Sequence, residues 1–271
     1  MAVAAVHGAV DDADSPCTTA LQSTCSTDAA KSHSPFVTES CRVCAGRHQH
    51  ELRGAGCSHQ DIQAYCSGAL QPSPTVTIAP GVHMPIIGLG AAHFGDSTTQ
   101  TVLDWIKQGG RAIDTSADYG HGQHTAERLT GRAIKQSGIA RDELFLTSKI
   151  PQSELGYNST LRVATASLDA LGVEYLDLLL IHWPGVVGHP TADPVASRAD
   201  TWRALELLHE RGQAKAIGVS NFMPRHLAEL YRTAKVSPAV NQFEYHIGLH
   251  DEELLATCKL HNIVSGPEST C

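Results

Sequence analysis

Four side chains with reactive chemistry close or follow short apolar runs. Arg111-Ala-Ile-Asp114 reads as a strand that ends on a carboxylate, and Tyr119 follows five residues later in the loop leaving it. Leu144-Phe-Leu-Thr-Ser-Lys149 ends on an ammonium and Leu178-Leu-Leu-Ile-His182 on an imidazole. Strand ends and the loops after them form the rim where an α/β barrel keeps its chemistry. A tyrosine titrates near pH 10, so proton donation near neutrality needs a depression of roughly 2–3 units, or about 3–4 kcal/mol. Lys149 is the cation that could supply it, and Asp114 would keep that lysine charged and oriented, because an unpaired buried ammonium is costly. His182, closing an apolar strand, must find a polar partner and could donate to a substrate oxygen. Any one of these residues alone would as readily serve a rim ion pair or a core network, and it is the set of four that points to general-acid chemistry.

The elements that must position them are legible in order. Thr75 to Met84 reads as two short strands about a Pro80-Gly81 turn. A first barrel strand is expected from Ile86 to Leu89, then a helix from Thr98 to Gln108 with Val102, Trp105 and Ile106 on one face and Gly109 as its stop. A helix from Ala126 follows an intervening His121-Gly-Gln-His-Thr125. The next helix carries Leu161, Ala164, Leu168 and Leu171 before Gly172. Residues 175–181 are almost wholly apolar, as suits a parallel strand covered on both faces. Trp202, Leu205 and Leu208 mark a helix ended by Gly212, and Ala214–Val219 a strand. Pro224 opens a helix with Leu227, Leu230 and Tyr231, Val240–Glu244 is a strand, and Asp251 caps a helix with Leu254, Leu255 and Cys258 inward. Strands alternating with helices at this spacing predict right-handed βα units on a parallel sheet. Six units and the start of a seventh strand, Ile263-Val264, are visible; Ser265–Cys271 is short and polar and is expected to carry no continuing strand.

Several phrases resemble motifs of the aldo-keto reductase family: Met84-Pro-Ile-Ile-Gly-Leu-Gly90, Ile181-His-Trp-Pro184, Ala216-Ile-Gly-Val-Ser-Asn-Phe222 and Val240-Asn-Gln-Phe-Glu-Tyr245. Asp114, Tyr119, Lys149 and His182 match that family's tetrad in order and spacing, and the likeness runs from about Thr75 to about Val264. The resemblance implies a (β/α)8 barrel of TIM type, incomplete here at six to seven βα units, with residues 75–85 as the hairpin that closes its base. It implies reduction of an aldehyde or ketone to an alcohol by hydride transfer from NADPH, with NADH the alternative, and with Tyr119 as general acid. Ser220, Asn221 and Gln242 match the positions that hold the nicotinamide carboxamide, and Trp183 one apolar wall of the substrate pocket. The family's phosphate and adenine contacts come largely from loops after strands seven and eight, so no residue of this sequence selects NADPH. Ala91-Ala-His-Phe94 and Pro151 depart from aromatic positions common in the family, which leaves the substrate class open.

A chain of 271 residues, 42% of them hydrophobic, can bury a sizeable core. A net charge of −8 argues against a broad nucleic-acid or anionic-membrane surface, and no apolar run approaches the roughly 18 residues of a membrane span. The N-terminus carries no basic segment ahead of an apolar one, and the cytoplasm is the expected location. Residues 1–74 read as a low-order extension ahead of a barrel domain at 75–271. Six of the eight cysteines lie there: Cys17, Cys25, Cys41, Cys44, Cys57 and Cys66. Cys41-Arg-Val-Cys44 has zinc-knuckle spacing, but Cys57 and Cys66 are too far apart to form a second close pair, so reduced thiols and no metal are expected. Two other readings stand beside the reductase: a barrel fragment that binds cofactor weakly, and a Cys/His metal module fused to a passive barrel. A sheet that stops after strand six or seven would also leave open edges, which invite self-association.

Overall fold

The computed structural model describes residues 3–5, 19–20, 48–57, 73–185 and 193–268. It divides into two units, residues 1–10 with 73–271 and residues 11–72. In the first unit the strand β1 (Val3–Ala5) is followed by the hairpin β2 (Thr75–Ala79) and β3 (Val82–Pro85). Then come seven parallel strands: β4 (Ile87–Gly90), β5 (Ala112–Asp114), β6 (Phe145–Ile150), β7 (Leu176–Ile181), β8 (Ala214–Ser220), β9 (Val240–Glu244) and β10 (Val264–Glu268). They pair in sequence order as a curled sheet, an incomplete TIM-type barrel.

In the second unit lies the helix α1 (Gln49–Gly54), with Leu52 fully buried. Cys57 is buried and disulfide-bonded, against the expectation of reduced thiols. Cys17, Cys25, Cys41, Cys44 and Cys66 lie outside the described residues.

The helices between the barrel strands are α2 (Thr98–Lys107), α3 (Ala126–Ser137), α4 (Tyr157–Leu171), α5 (Pro194–Glu210), α6 (Pro224–Leu230) and α7 (Glu252–Leu260). Their ends follow local chemistry. Asp193 accepts from the Val195 amide at 2.9 Å with Pro194 in the first turn, and Asp251 accepts from the Leu254 amide at 3.0 Å. Each such cap contributes about 1 kcal/mol. α3 and α4 stop at Gly138 and Gly172, both left-handed.

Strand alternation sorts the core into two layers. Ile113, Leu146, Leu179, Ile181 and Ile217 face outward onto the helices, packing with Val102, Leu168 and Trp202 among others. Ala112, Phe145, Leu178, Leu180, Ala216 and Val240 face into the curl, where Val76, Ile78, Val82 and Met84 of the hairpin close the base. The hairpin therefore plugs the inner face from one end, and the opposite end is left to polar side chains. Gly218 belongs to this inner layer because a Cβ there would stand 2.5 Å from the Val240 carbonyl oxygen.

Two expectations about the ends are corrected. Residues 265–268 do continue the seventh strand: they pair in register with Asn241–Glu244. A parallel ladder is held by backbone groups and can form without the apolar side chains that a pattern search looks for. The edge of β4 is also not open over Ile87–Leu89, because Val3–Ala5, part of the segment expected to lack order, pairs with it antiparallel. β1 further lies within 8 Å, Cα to Cα, of β10. No described helix is long and apolar enough to cross a membrane.

Candidate functional site

The alternation that built the core also builds the site. Asp114 shares the face of Ala112, Lys149 that of Phe145, His182 that of Leu178 and Leu180, Ser220 that of Ala216, and Gln242 that of Val240. Every one of them lies at or near the C-terminal end of its strand, so all point into the curl above the apolar layer. Ladder register brings neighbours level: Lys149 is opposite Leu180, and Ser220 opposite Gln242.

Lys149 is 1% exposed, and its ammonium donates to the Asp114 carboxylate, to Tyr119 Oη at 3.2 Å and to the Thr115 carbonyl at 3.4 Å. Burial alone would drive the proton off, but the Asp114 charge, and after it the Tyr119 oxygen, outweigh burial and hold Lys149 protonated above the usual lysine range. Tyr119 is carried into this contact by its loop. The Tyr119 carbonyl accepts from the Ala126 amide at 2.8 Å, and Gly120, at φ +84°, lets the chain turn where a Cβ would stand 2.3 Å from the His124 carbonyl oxygen. The residues His121–Thr125 that intervene before α3 thus include a short turn of helix, Gly122–His124, that backs the tyrosine loop.

His182 completes the group. Its Nε2 lies 3.5 Å from Tyr119 Oη, and the two rings meet edge to face at 5.5 Å between centroids. A cation beside a tyrosine hydroxyl, with an imidazole on its other side, is a poised proton donor. Trp183 stands next to His182 with ring centroids 6.3 Å apart and is 43% exposed, an apolar surface at the mouth.

Ser220, Asn221 and Gln242 gather on the adjoining side. Asn221, left-handed at φ 60°, donates its amide to the His182 carbonyl at 3.1 Å and to Ser220 Oγ at 3.0 Å, while its backbone NH binds the Gln242 carbonyl at 2.7 Å. Gln242 Nε2 donates to Asp114 at 3.0 Å, which leaves its Oε1 buried and without a hydrogen-bond partner. An orphaned amide oxygen beside a buried serine hydroxyl and an asparagine amide fits a ligand that carries a carboxamide, whose NH2 needs an acceptor.

Two contributors escape a reading based on strand ends. Asp118 Oδ1 lies 3.2 Å from His182 Nδ1 and accepts from Ser116 Oγ at 2.5 Å, and Ser116 Oγ itself is 3.3 Å from that nitrogen. Glu127 is buried on the helix-facing side of β6, where it accepts from Ser148 Oγ at 2.6 Å, and its charge bears on Asp118. The sequence signal for Asp118 was its place next to Tyr119; for Glu127 it was a carboxylate on the inner side of α3, flanked by Ala126 and Leu129. No group of three or more metal-ligating side chains exists among the described residues.

Known proteins resemble this chain over most of the described barrel. The Aldo/keto reductase family profile matches residues 86–268. Glyoxal reductase of Bacillus subtilis is 45% identical over 187 residues, covering 68% of this chain and 63% of that protein. The 9,11-endoperoxide prostaglandin H2 reductase of Trypanosoma cruzi is 42% identical over 190 residues, 69% of this chain and 62% of its own length. The chain thus spans a little over three fifths of these relatives. Among solved structures, an aldo/keto reductase from Brucella melitensis superposes with a TM-score of 0.64 at 38% identity, covering 71% of each chain. The Bombyx mori aldo-keto reductase in complex with NADP gives 0.65 at 29% identity, covering 72% of this chain and 65% of that one. Profile, relatives and superposed folds converge on the same stretch of sequence that forms the curled sheet and its polar rim, and the chain belongs to the aldo/keto reductase family.

Proposed function

We propose that this chain is an NADPH-dependent reductase of small-molecule aldehydes or ketones, with Tyr119 as the proton donor. The observation that carries the reading is the buried Asp114–Lys149–Tyr119 chain of contacts, which ends on a hydroxyl at the mouth of the curl. The NADP carried by the superposed silkworm enzyme supports the cofactor, and the glyoxal reductase relative supports a small aldehyde.

Ser220, Asn221 and the unsatisfied Gln242 Oε1 would hold the nicotinamide carboxamide. Bound NADPH supplies the hydride for the carbonyl carbon. As negative charge develops on the carbonyl oxygen, Tyr119 Oη passes it a proton, and Lys149 stabilises the phenolate left behind. Asp114 keeps the ammonium charged and aimed. His182 Nε2, 3.5 Å from the same hydroxyl, lines the place of the carbonyl oxygen and orients it, and Trp183 offers an apolar wall to the rest of the substrate.

The test is loss of NADPH absorbance with glyoxal or a nitrobenzaldehyde, in the wild-type chain and in Tyr119→Phe. Turnover in the wild type and its loss in a variant that keeps its circular-dichroism spectrum is the expected result. A variant that retains wild-type turnover would remove Tyr119 from the mechanism, and a wild type with no turnover would remove the reductase reading.

A further inference from the structure

Trp183, the apolar wall of the proposed substrate site, is carried on the chain that leaves β7, and its place is set by how that chain is held. On the near side the His182 amide donates to the Ile150 carbonyl at 3.0 Å, and the His182 carbonyl accepts from the Asn221 side chain at 3.1 Å. On the far side the chain is caught one residue past Trp183, where the Pro184 carbonyl accepts from Arg198 Nη1 at 2.7 Å. Arg198 lies in the second turn of α5 and is 7% exposed, and its Nη2 donates to the Glu229 carboxylate on α6. One planar guanidinium thus reaches two elements at once, which its fixed fork of N–H groups allows. Pro184 is buried as well, and a buried carbonyl that loses its donor must move to water or stay unsatisfied at a cost. Glu229 makes the guanidinium tolerable at this depth, since an unpaired buried charge is strongly destabilising.

We propose that Arg198 is a positioning residue that fixes Trp183 at the mouth of the site, and thereby sets how strongly aldehydes with an apolar body are held. The ion pair with Glu229 secures the charge, and the second arm of the fork secures the wall. The inference rests on the reductase reading for its consequence in substrate binding, but not for the order of Trp183 itself. A ring-bearing substrate such as a nitrobenzaldehyde can lie on the exposed indole, whereas glyoxal, two carbons long, reaches little beyond the Tyr119 hydroxyl. Contact with the wall is shared by the ground state and the transition state, so its loss shows in KM rather than in kcat.

The test separates positioning from stability. In Arg198→Met both Glu229 and the Pro184 carbonyl lose their donor. In Arg198→Met/Glu229→Leu apolar side chains replace the ion pair, which often restores stability, yet the Pro184 carbonyl is still unheld. Arg198→Lys keeps a cation for Glu229 without the fork, and covers the case in which methionine is not tolerated. Stability is read by urea unfolding. The order of Trp183 is read by nitrogen-15 relaxation of its indole N–H in the 271-residue chain without cofactor, the signal being assigned by its loss in Trp183→Phe. The indoles of Trp105 and Trp202 are internal references, since they donate to the Ala112 and Val236 carbonyls at 3.0 and 3.1 Å. The Trp183 order parameter is expected to fall from about 0.85 in the wild type to below about 0.6 in each variant, including the double variant whose unfolding midpoint returns toward the wild type. With turnover, KM for nitrobenzaldehyde rises roughly tenfold and KM for glyoxal less than about twofold. A Trp183 indole already mobile in the wild type, one still ordered in Arg198→Met, or order that returns in the double variant together with stability overturns the proposal and leaves Arg198 as half of an ion pair. Equal KM changes for the two aldehydes overturn it as well. A wild type without turnover that shows the expected loss of order supports the positioning role and fails the reductase reading alone.

Discussion

Replacing Asp114 with Asn removes one charge and little volume, and the asparagine oxygen can still accept from Gln242 Nε2. What it leaves is an ammonium 1% exposed, with neutral partners only: Tyr119 Oη at 3.2 Å and the Thr115 carbonyl at 3.4 Å. Stranding a buried charge costs about 3–5 kcal/mol. The Asp114 side chain is 23% exposed, so water reaches that end of the pair and the lower figure, about 3 kcal/mol, applies. The sign with pH follows from Lys149, whose pKa is raised on folding because Asp114 and Tyr119 outweigh burial. A raised lysine contributes stability that is complete below the unfolded value of about 10.4 and lost only as pH climbs through the folded one. In the variant the burial contribution dominates instead, the folded state sheds that proton at lower pH, and the deficit narrows as the solution becomes alkaline. Urea unfolding followed by tryptophan fluorescence near pH 7 and near pH 9 measures both effects. A deficit below about 0.5 kcal/mol at neutrality, or one of the same size at both pH values, would refute the claim that Asp114 secures a buried charge.

Gln242→Ala deletes the orphaned acceptor, and NADPH binding measured by tryptophan quenching is expected to weaken by roughly 2–10-fold, the worth of one neutral hydrogen bond; unchanged affinity would take Gln242 out of the cofactor site. Glu127→Gln concerns a carboxyl whose pKa burial raises, with the Ser148 and Ser167 hydrogen bonds opposing and the Asp118 charge adding to it. A raised carboxyl is most favourable when protonated, so its contribution holds below the unfolded value of about 4.3 and is lost as pH rises through the folded one. The glutamine variant should therefore gain on the wild type in denaturation midpoint from about pH 4.5 to pH 8, and a pH-independent difference would count against a strained carboxylate.

Much of this site could be read along the chain because its logic is local. Asp114, Lys149 and His182 announce themselves by ending or directly following apolar strands, and period-two alternation alone dictates that they share the inner face with Ala112, Phe145 and Leu178. Helix limits were equally local, set by Asp193, Asp251, Gly138 and Gly172 acting on their own few neighbours. Tertiary structure decided the pairings that cross the sheet. Gln242 meets Asp114 across 128 residues, and Ser116 meets His182 across 66, because the curl brings nonadjacent strand ends to one rim. Its place beside Tyr119 is the one local signal of Asp118, and its partner His182 arrives from another strand. The pairing of Val3–Ala5 with Ile87–Leu89, and the extension of β10 through Ser265–Glu268, were hidden for a related reason. Both are made by backbone hydrogen bonds, which every residue but proline can donate, so they leave no side-chain pattern to find and form wherever an unpaired edge is within reach.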